Sequence, residues 1–163
     1  MAESDQLAVL FVCLGNICRS PTAHGVFQDK VRERGFSSQI EVDSAGTAAF
    51  HIGAGPDHRS IKVAAERGYN LTGLRARQAL AEDFQRYDYI LAMDNENLRS
   101  LQAIAPPESR AQLQLFLDFS SQKKFTEVPD PYYGGARGFD LVLDLIEDAS
   151  QGLLDQLSRR LGV

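Results

Sequence analysis

Leu7-Ala8-Val9-Leu10-Phe11-Val12 is an unbroken apolar run of strand length, the pattern of a strand covered on both faces. It leads into Cys13-Leu14-Gly15-Asn16, after which Ser20-Pro21 predicts a helix start. Serine suits the N-cap, and proline at the first helical position gives up no needed hydrogen bond. Ala23, Phe27 and Val31 then recur at four-residue spacing, with Val26 beside them, up to a stop at Gly35. Ile40-Glu41-Val42-Asp43 reads as a second strand, followed by a Gly/Ala-rich loop from Ser44 to Gly55. Pro56 is expected to open a helix with Ile61, Ala64 and Ala65 inward, closed at Gly68. Tyr87 to Met93 predicts a third strand, Glu96 to Ile104 a short helix and Leu113 to Leu117 a fourth strand. The last helix is expected over about Arg137 to Leu161, with Phe139, Val142, Leu143, Ile146, Leu153 and Leu157 on one face.

Strands that alternate with helices imply an α/β fold, a parallel sheet with helices on both faces. In such open sheets ligands sit at the carboxyl ends of strands. The first strand ends at Cys13, so that is where a site is expected.

Composition narrows the function. A chain of 163 residues is the size of one domain, expected to span 1–163, and nothing in it reads as a linker. At this length folding hides roughly 70% of the unfolded surface, and 44% hydrophobic residues suffice for a core without staples. A net charge of -5 argues against nucleic acid as a partner, which needs a basic face. It does not forbid a local anion site, because backbone N–H groups build one without net charge. The polar, acidic start Met1-Ala2-Glu3-Ser4-Asp5-Gln6 lacks the marks of a signal peptide, and no apolar run is long enough for membrane insertion. The expected location is cytoplasmic. Two cysteines five positions apart make no disulfide framework, and alone they cannot complete a four-ligand zinc site.

Those cysteines belong to the segment Cys13-Leu14-Gly15-Asn16-Ile17-Cys18-Arg19-Ser20, with five residues between Cys13 and Arg19. A short loop curled at a helix N-terminus points several N–H groups into one concavity, where the helix dipole also favours an anion. Gly15 and Asn16 most readily take the positive φ angles that such a curl uses. Arg19 can offer a planar fork to two phosphate oxygens, which lysine cannot match. The same field favours a thiolate at Cys13, placed for in-line attack on phosphorus. Arg19 and the loop amides would then stabilise the charge on the equatorial oxygens without a metal. A lone cysteine at a strand end is more often a small hydrophobe. Here the arginine, the Gly-Asn pair and the Ser-Pro start outweigh that reading.

The second component is Asp130-Pro131-Tyr132-Tyr133-Gly134-Gly135. Attack by cysteine expels a poor alkoxide or phenoxide, so a protonated carboxyl must deliver a proton, and the same carboxylate can later activate water. By itself Asp-Pro with Gly-Gly is ordinary turn chemistry. Beside a nucleophile that needs an acid, it becomes the candidate.

The run Val12-Cys13-Leu14-Gly15-Asn16-Ile17-Cys18-Arg19-Ser20-Pro21, together with Asp130-Pro131-Tyr132-Tyr133-Gly134, resembles the low-molecular-weight protein tyrosine phosphatases. The resemblance extends through Asp43-Ser44-Ala45-Gly46-Thr47 and Tyr87-Asp88-Tyr89-Ile90-Leu91-Ala92-Met93-Asp94, and covers essentially the whole chain. It implies a four-stranded parallel sheet flanked by helices, hydrolysis of phosphotyrosine and aryl phosphates through a phosphocysteine, and no cofactor or metal. Cys13 would be the nucleophile, Arg19 the phosphate clamp and Asp130 the general acid, then base. Leu14, Gly15, Asn16, Ile17, Cys18 and Ser20 would form the phosphate-binding loop. Asn16 and Ser44 would brace it, Ser20 would help keep the thiolate ionised, and Asp94 would support the site, with a helix N-cap as its alternative role. Leu14, Ile17, Phe50, Tyr132 and Tyr133 would wall the substrate pocket. Cys18 matches the second cysteine that in many relatives pairs reversibly with the nucleophile under oxidation; a packing role behind the loop is its alternative. The implied partners are phosphotyrosine-containing protein substrates and a tyrosine kinase, and the implied state is a monomer.

Three positions depart from the family pattern. Phe50 replaces a frequent tryptophan or tyrosine, Leu74 replaces a histidine bonded to the loop asparagine, and His24 replaces a frequent glutamate. His24, His51 and His58 read as surface or locally bonded histidines, not as ligands. Rival readings remain. An arsenate reductase of the same fold would need a further cysteine for its relay. A protein arginine phosphatase keeps the whole machinery, but those relatives tend to carry threonine at the position of Ile17. A cysteine phosphocarrier of a sugar uptake system has no use for a hydrolytic Asp130, and a silent phosphate-binding module has no use for the cysteine, arginine and aspartate together.

Overall fold

The computed structural model describes residues 6–131 and 135–162. The central strand β1, Leu7–Cys13, has Val9, Leu10, Phe11 and Val12 fully buried, so the apolar run is covered on both sides as its pattern predicts. Each such side chain removed from water contributes about 1.5–3 kcal/mol. Helix α1, Arg19–Glu33, follows, then β2, Ile40–Gly46, and α2, His58–Glu66. The short α3, Asp83–Arg86, precedes β3, Tyr89–Ala92. Then come α4, Asn95–Ile104, β4, Gln112–Leu115, a 3-10 turn at Phe116–Phe119, and α5, Gly135–Arg160.

The four strands form one parallel sheet in the order β2-β1-β3-β4. Pleating sends alternate β1 side chains to opposite faces. Val9 and Phe11 meet Phe27 of α1 and Val142 and Ile146 of α5, while Leu10 and Val12 meet Phe84 of α3 and Leu101 of α4. Phe11 is gripped edge-on by Phe27 at 5.7 Å and by Phe116 at 4.9 Å between ring centroids. That aromatic cluster fixes the strand whose end carries Cys13. Since β1 connects to β2 on one side and the chain then crosses to β3 on the other, the order reverses at β1, the position where open sheets leave a crevice. No helix among the described residues is long and apolar enough to cross a membrane.

Several elements differ from the sequence expectation. Helix α1 begins at Arg19 with Cys18 in the N-cap position, and Pro21 sits in its first turn, where an N–H would still lack a helical acceptor. Ser20 is therefore free of capping and turns its hydroxyl to the loop. Ser44, Ala45 and Gly46 belong to β2, because pairing with β1 continues to the register Cys13↔Gly46. Pro56 precedes the cap of α2; Asp57 is the cap, accepting from the Arg59 N–H at 2.8 Å. In α2 the inward residues are Ser60 and Ala64, with Ile61 half-buried and Ala65 exposed, since Ser60, Val63 and Ala64 face Thr22 and Phe139. The alternating run Leu113 to Leu117 breaks at Phe116, where the 3-10 turn drops that ring under Phe11. Helix α3 was unexpected because four residues are too short to show a period.

Candidate active site

The loop between β1 and α1 is held on three sides. The Thr47 N–H donates to the Cys13 carbonyl at 2.9 Å, the Ala48 N–H to that of Leu14 at 3.0 Å, and the Asp57 N–H to that of Ile17 at 2.7 Å. Its carbonyls are thus drawn outward to neighbouring backbone. Gly46 lets β2 come this close: a Cβ there would lie 2.7 Å from the Leu14 oxygen. Asn16 makes the turn with φ of 56°, in the left-handed region, whereas Gly15 is not among the positive-φ residues. The Asn16 amide donates to Ser20 Oγ at 2.7 Å, and its oxygen accepts from the Arg77 N–H at 3.0 Å. Ser20 Oγ in turn lies 3.1 Å from Cys13 Sγ. A chain of polar contacts therefore runs from the backbone of Arg77 through Asn16 and Ser20 to the sulfur.

Arg19 is anchored by one nitrogen, Nη1, which donates to Asp94 Oδ2 at 2.7 Å and to the Val128 carbonyl at 3.0 Å. The other edge of its fork can serve an anion. Burial opposes its charge, but Cys13, Asp94 and Asp130 overcome that cost and hold its pKa above the ordinary arginine value. Asp94 plays two parts: Oδ2 holds Arg19 while Oδ1 accepts from the Asn97 N–H at 2.8 Å as the N-cap of α4. Cys13, Leu14, Gly15, Ile17, Cys18, Arg19, Phe50, His51 and Asp130 line one pocket of about 160 Å³. A larger cleft of about 710 Å³ lies near Leu7, Ile40, Asp88 and Arg110, at the amino ends of the strands. Neither cysteine and no helix N-terminus lines that cleft, whereas Cys13, Cys18 and the start of α1 all border the smaller pocket.

The sequence model of a family described as low molecular weight phosphotyrosine protein phosphatase matches residues 8–162. The chain belongs to this family. A member from the fission yeast Schizosaccharomyces pombe, named low molecular weight phosphotyrosine protein phosphatase, is 43% identical over 95% of the chain and 99% of its own. The fold is that of the low-molecular-weight phosphatases as well. A protein tyrosine phosphatase from Entamoeba histolytica, solved with Hepes in its active site, superposes with a TM-score of 0.90 at 41% identity, covering 94% of this chain and 98% of that one. A drosophila arginine phosphatase superposes with a TM-score of 0.85 at 33% identity, covering 91% and 96%.

In this phosphatase the predicted Cys13, Leu14, Gly15, Ile17, Cys18, Arg19, Phe50 and Asp130 meet at the pocket, with Asn16 and Ser20 directly behind it. Tyr132 and Tyr133 lie outside the described residues. Phe50 is 74% exposed at the rim and meets the His51 ring edge-on. Cys13 and Cys18 are both thiols, not joined to each other. The Ser44 hydroxyl and His24 Nδ1 share a hydrogen bond at 3.0 Å, tying β2 to α1. Leu74 provides no partner to Asn16; the Arg77 N–H fills that need, with the Arg77 guanidinium fixed between Asp43 and Asp83. Sequence reading passed over Arg77 and Val128 because each contributes a backbone group, which leaves no trace in residue type.

Burial pushes the pKa of His24 below the ordinary histidine value, and nearby Asp43 only partly offsets this. Around pH 6.5 the unfolded chain therefore holds a proton at His24 more readily than the folded chain does. The stabilisation is complete above about pH 6.5 and is lost as pH falls through the folded value. Urea midpoints measured between about pH 7.5 and 5.5 should fall more steeply for the parent than for His24→Gln. Parallel slopes would show that this histidine does not couple to stability.

Proposed function

We propose that the chain hydrolyses phosphotyrosine in proteins, with Cys13 as nucleophile, Arg19 as clamp and Asp130 as acid and base. Its family membership supports a phosphatase acting on phosphoproteins. The observation that carries the finer reading is that Cys13, Arg19 and Asp130 line one pocket at the carboxyl end of the central strand.

The phosphoryl group sits in the loop between Cys13 and Ser20, its oxygens on loop amides and the free edge of Arg19. Cys13 Sγ attacks in line; the S–P bond forms as the P–O bond to the leaving group breaks. Asp130 passes its proton to the departing oxygen, so that a neutral phenol leaves. Ser20, 3.1 Å from the sulfur, offers a hydroxyl to the thiolate before attack. In the second step the Asp130 carboxylate takes a proton from water, whose oxygen attacks phosphorus and returns the thiolate. Positive charge comes from Arg19 and the start of α1, so neither step calls for a metal.

Leu14, Ile17 and Phe50 give the pocket apolar walls, suited to the face of a phenyl ring. The likeness to an arginine phosphatase favours a second reading, phosphoarginine. Turnover of matched phosphotyrosine, phosphoserine and phosphoarginine peptides separates them. Phosphotyrosine should be hydrolysed fastest. Preference for phosphoarginine would replace the substrate and keep the mechanism, whereas a stable phosphocysteine with no phosphate release would mark a carrier.

A further inference from the structure

Asp130 reaches the pocket on a segment whose preceding residues, Glu127 and Val128, are tied firmly to the rest of the fold. The Val128 N–H donates to the Met93 carbonyl at 2.8 Å, and the Val128 carbonyl accepts from Arg19 Nη1 at 3.0 Å. Val128 itself is fully buried in the core. The third tie is a side chain: Glu127 Oε2 accepts from the Asn95 N–H at 2.7 Å. Asn95 is the first residue of α4, and Asp94 spends its own capping oxygen on Asn97. Glu127 thus satisfies a helix donor that the local cap leaves over, at the end of α4 where a carboxylate is favoured.

The next residues of the chain transmit that placement. Asp130 stands between Pro129 and Pro131, whose rings hold φ near −65° and remove two of the chain's soft rotations. Pro131 is buried, and Gly138 of α5 comes so close that a Cβ there would lie 2.9 Å from the Pro131 carbonyl. The acid is therefore carried on a stiff span, clamped by Glu127 and Val128 at one end and by α5 at the other.

We propose that Glu127 is a positioning residue for the general acid: its bond to the start of α4 sets where the Asp130 carboxyl stands over the pocket. The inference rests on the reading of Asp130 as the acid. A misplaced acid has a distinctive effect. It slows cleavage of the P–O bond most when the leaving oxygen is basic and needs its proton, and hardly at all when the leaving group is stable as an anion.

The test compares kcat/KM, which reports that first cleavage, for phenyl phosphate and p-nitrophenyl phosphate. The parent, Glu127→Ala, Glu127→Gln and Asp130→Ala are measured side by side, with the inhibition constant of inorganic phosphate as a gauge of the loop. Glu127→Ala should lose about tenfold on phenyl phosphate, a part of the 10²–10⁴ that an acid supplies, and less than about twofold on p-nitrophenyl phosphate. Phosphate inhibition should not change. Glu127→Gln keeps an acceptor oxygen and should recover most of the loss. Equal losses on both substrates, no loss, or a parallel weakening of phosphate inhibition would overturn the positioning role. If Asp130→Ala shows the leaving-group bias and Glu127→Ala does not, only this inference fails. If Asp130→Ala shows none, the acid assignment itself is wrong.

Discussion

Cys13→Ser should leave a folded protein that no longer hydrolyses p-nitrophenyl phosphate, with a loss on the order of 10⁵-fold or more, the scale on which a catalytic nucleophile matters. The substitution is close to isosteric. Cys13 is 3% exposed at the end of β1, where its sulfur contacts Ser20 Oγ, and a serine hydroxyl can make the same contact. The loop's shape depends on backbone bonds from Thr47, Ala48 and Asp57 and on the Asn16 bridge, none of which uses the sulfur. What disappears is the nucleophile, because a serine hydroxyl is far harder to ionise than a thiol. The variant should still bind inorganic phosphate and melt near the parent temperature. Retained turnover would refute nucleophilic catalysis by this residue, and loss of phosphate binding would show that the sulfur also shapes the cradle.

Asp130→Ala should reduce turnover of phosphotyrosine by on the order of 10²–10⁴-fold, the usual worth of a positioned acid or base. Both halves of the reaction suffer. The phenoxide must leave without a proton, and the water that opens the phosphocysteine must attack without a base. The change removes no core packing, since Asp130 is half-buried at the pocket and its buried neighbours Val128 and Pro131 hold the backbone. Its charge also helps to raise the Arg19 pKa, but Cys13 and Asp94 act more strongly there, so the clamp should keep its charge. Rapid mixing should show slow release of phenol as well as slow release of phosphate. Turnover within a few-fold of the parent would assign the acid elsewhere.

The central strand, the loop and the helix after it were legible because each is a contiguous pattern: an apolar run, a Cys–Arg spacing and a four-residue apolar period. Asp130 stood out only through the chemistry that a nucleophilic Cys13 would demand, and the structure places it at the same pocket. The supports were not. Arg77 acts on Asn16 through its N–H, and Val128 acts on Arg19 through its carbonyl, groups that every non-proline residue has. Asp94 was expected either to support the site or to cap a helix; one of its oxygens caps α4 and the other accepts from Arg19. Leu74 removed one expected partner of Asn16, yet nothing in the sequence indicated that a main-chain amide takes its place. Element ends were misjudged where long-range pairing decides them: β2 runs on to Gly46 because Cys13 lies beside it.

The span from Glu127 to Asp130 lies more than a hundred residues from Cys13, and α5 comes later still. During synthesis the loop emerges from the ribosome long before Asp94, Val128 or the helix that covers Phe11. A nascent chain thus carries Cys13 before Asp94, Val128 and Asp130 have been made, and domains of this size fold as units once their last elements are available. The pocket can therefore assemble only after α5 has been made. A chain stalled before α5 carries Cys13 without the packed loop that surrounds it in the folded protein.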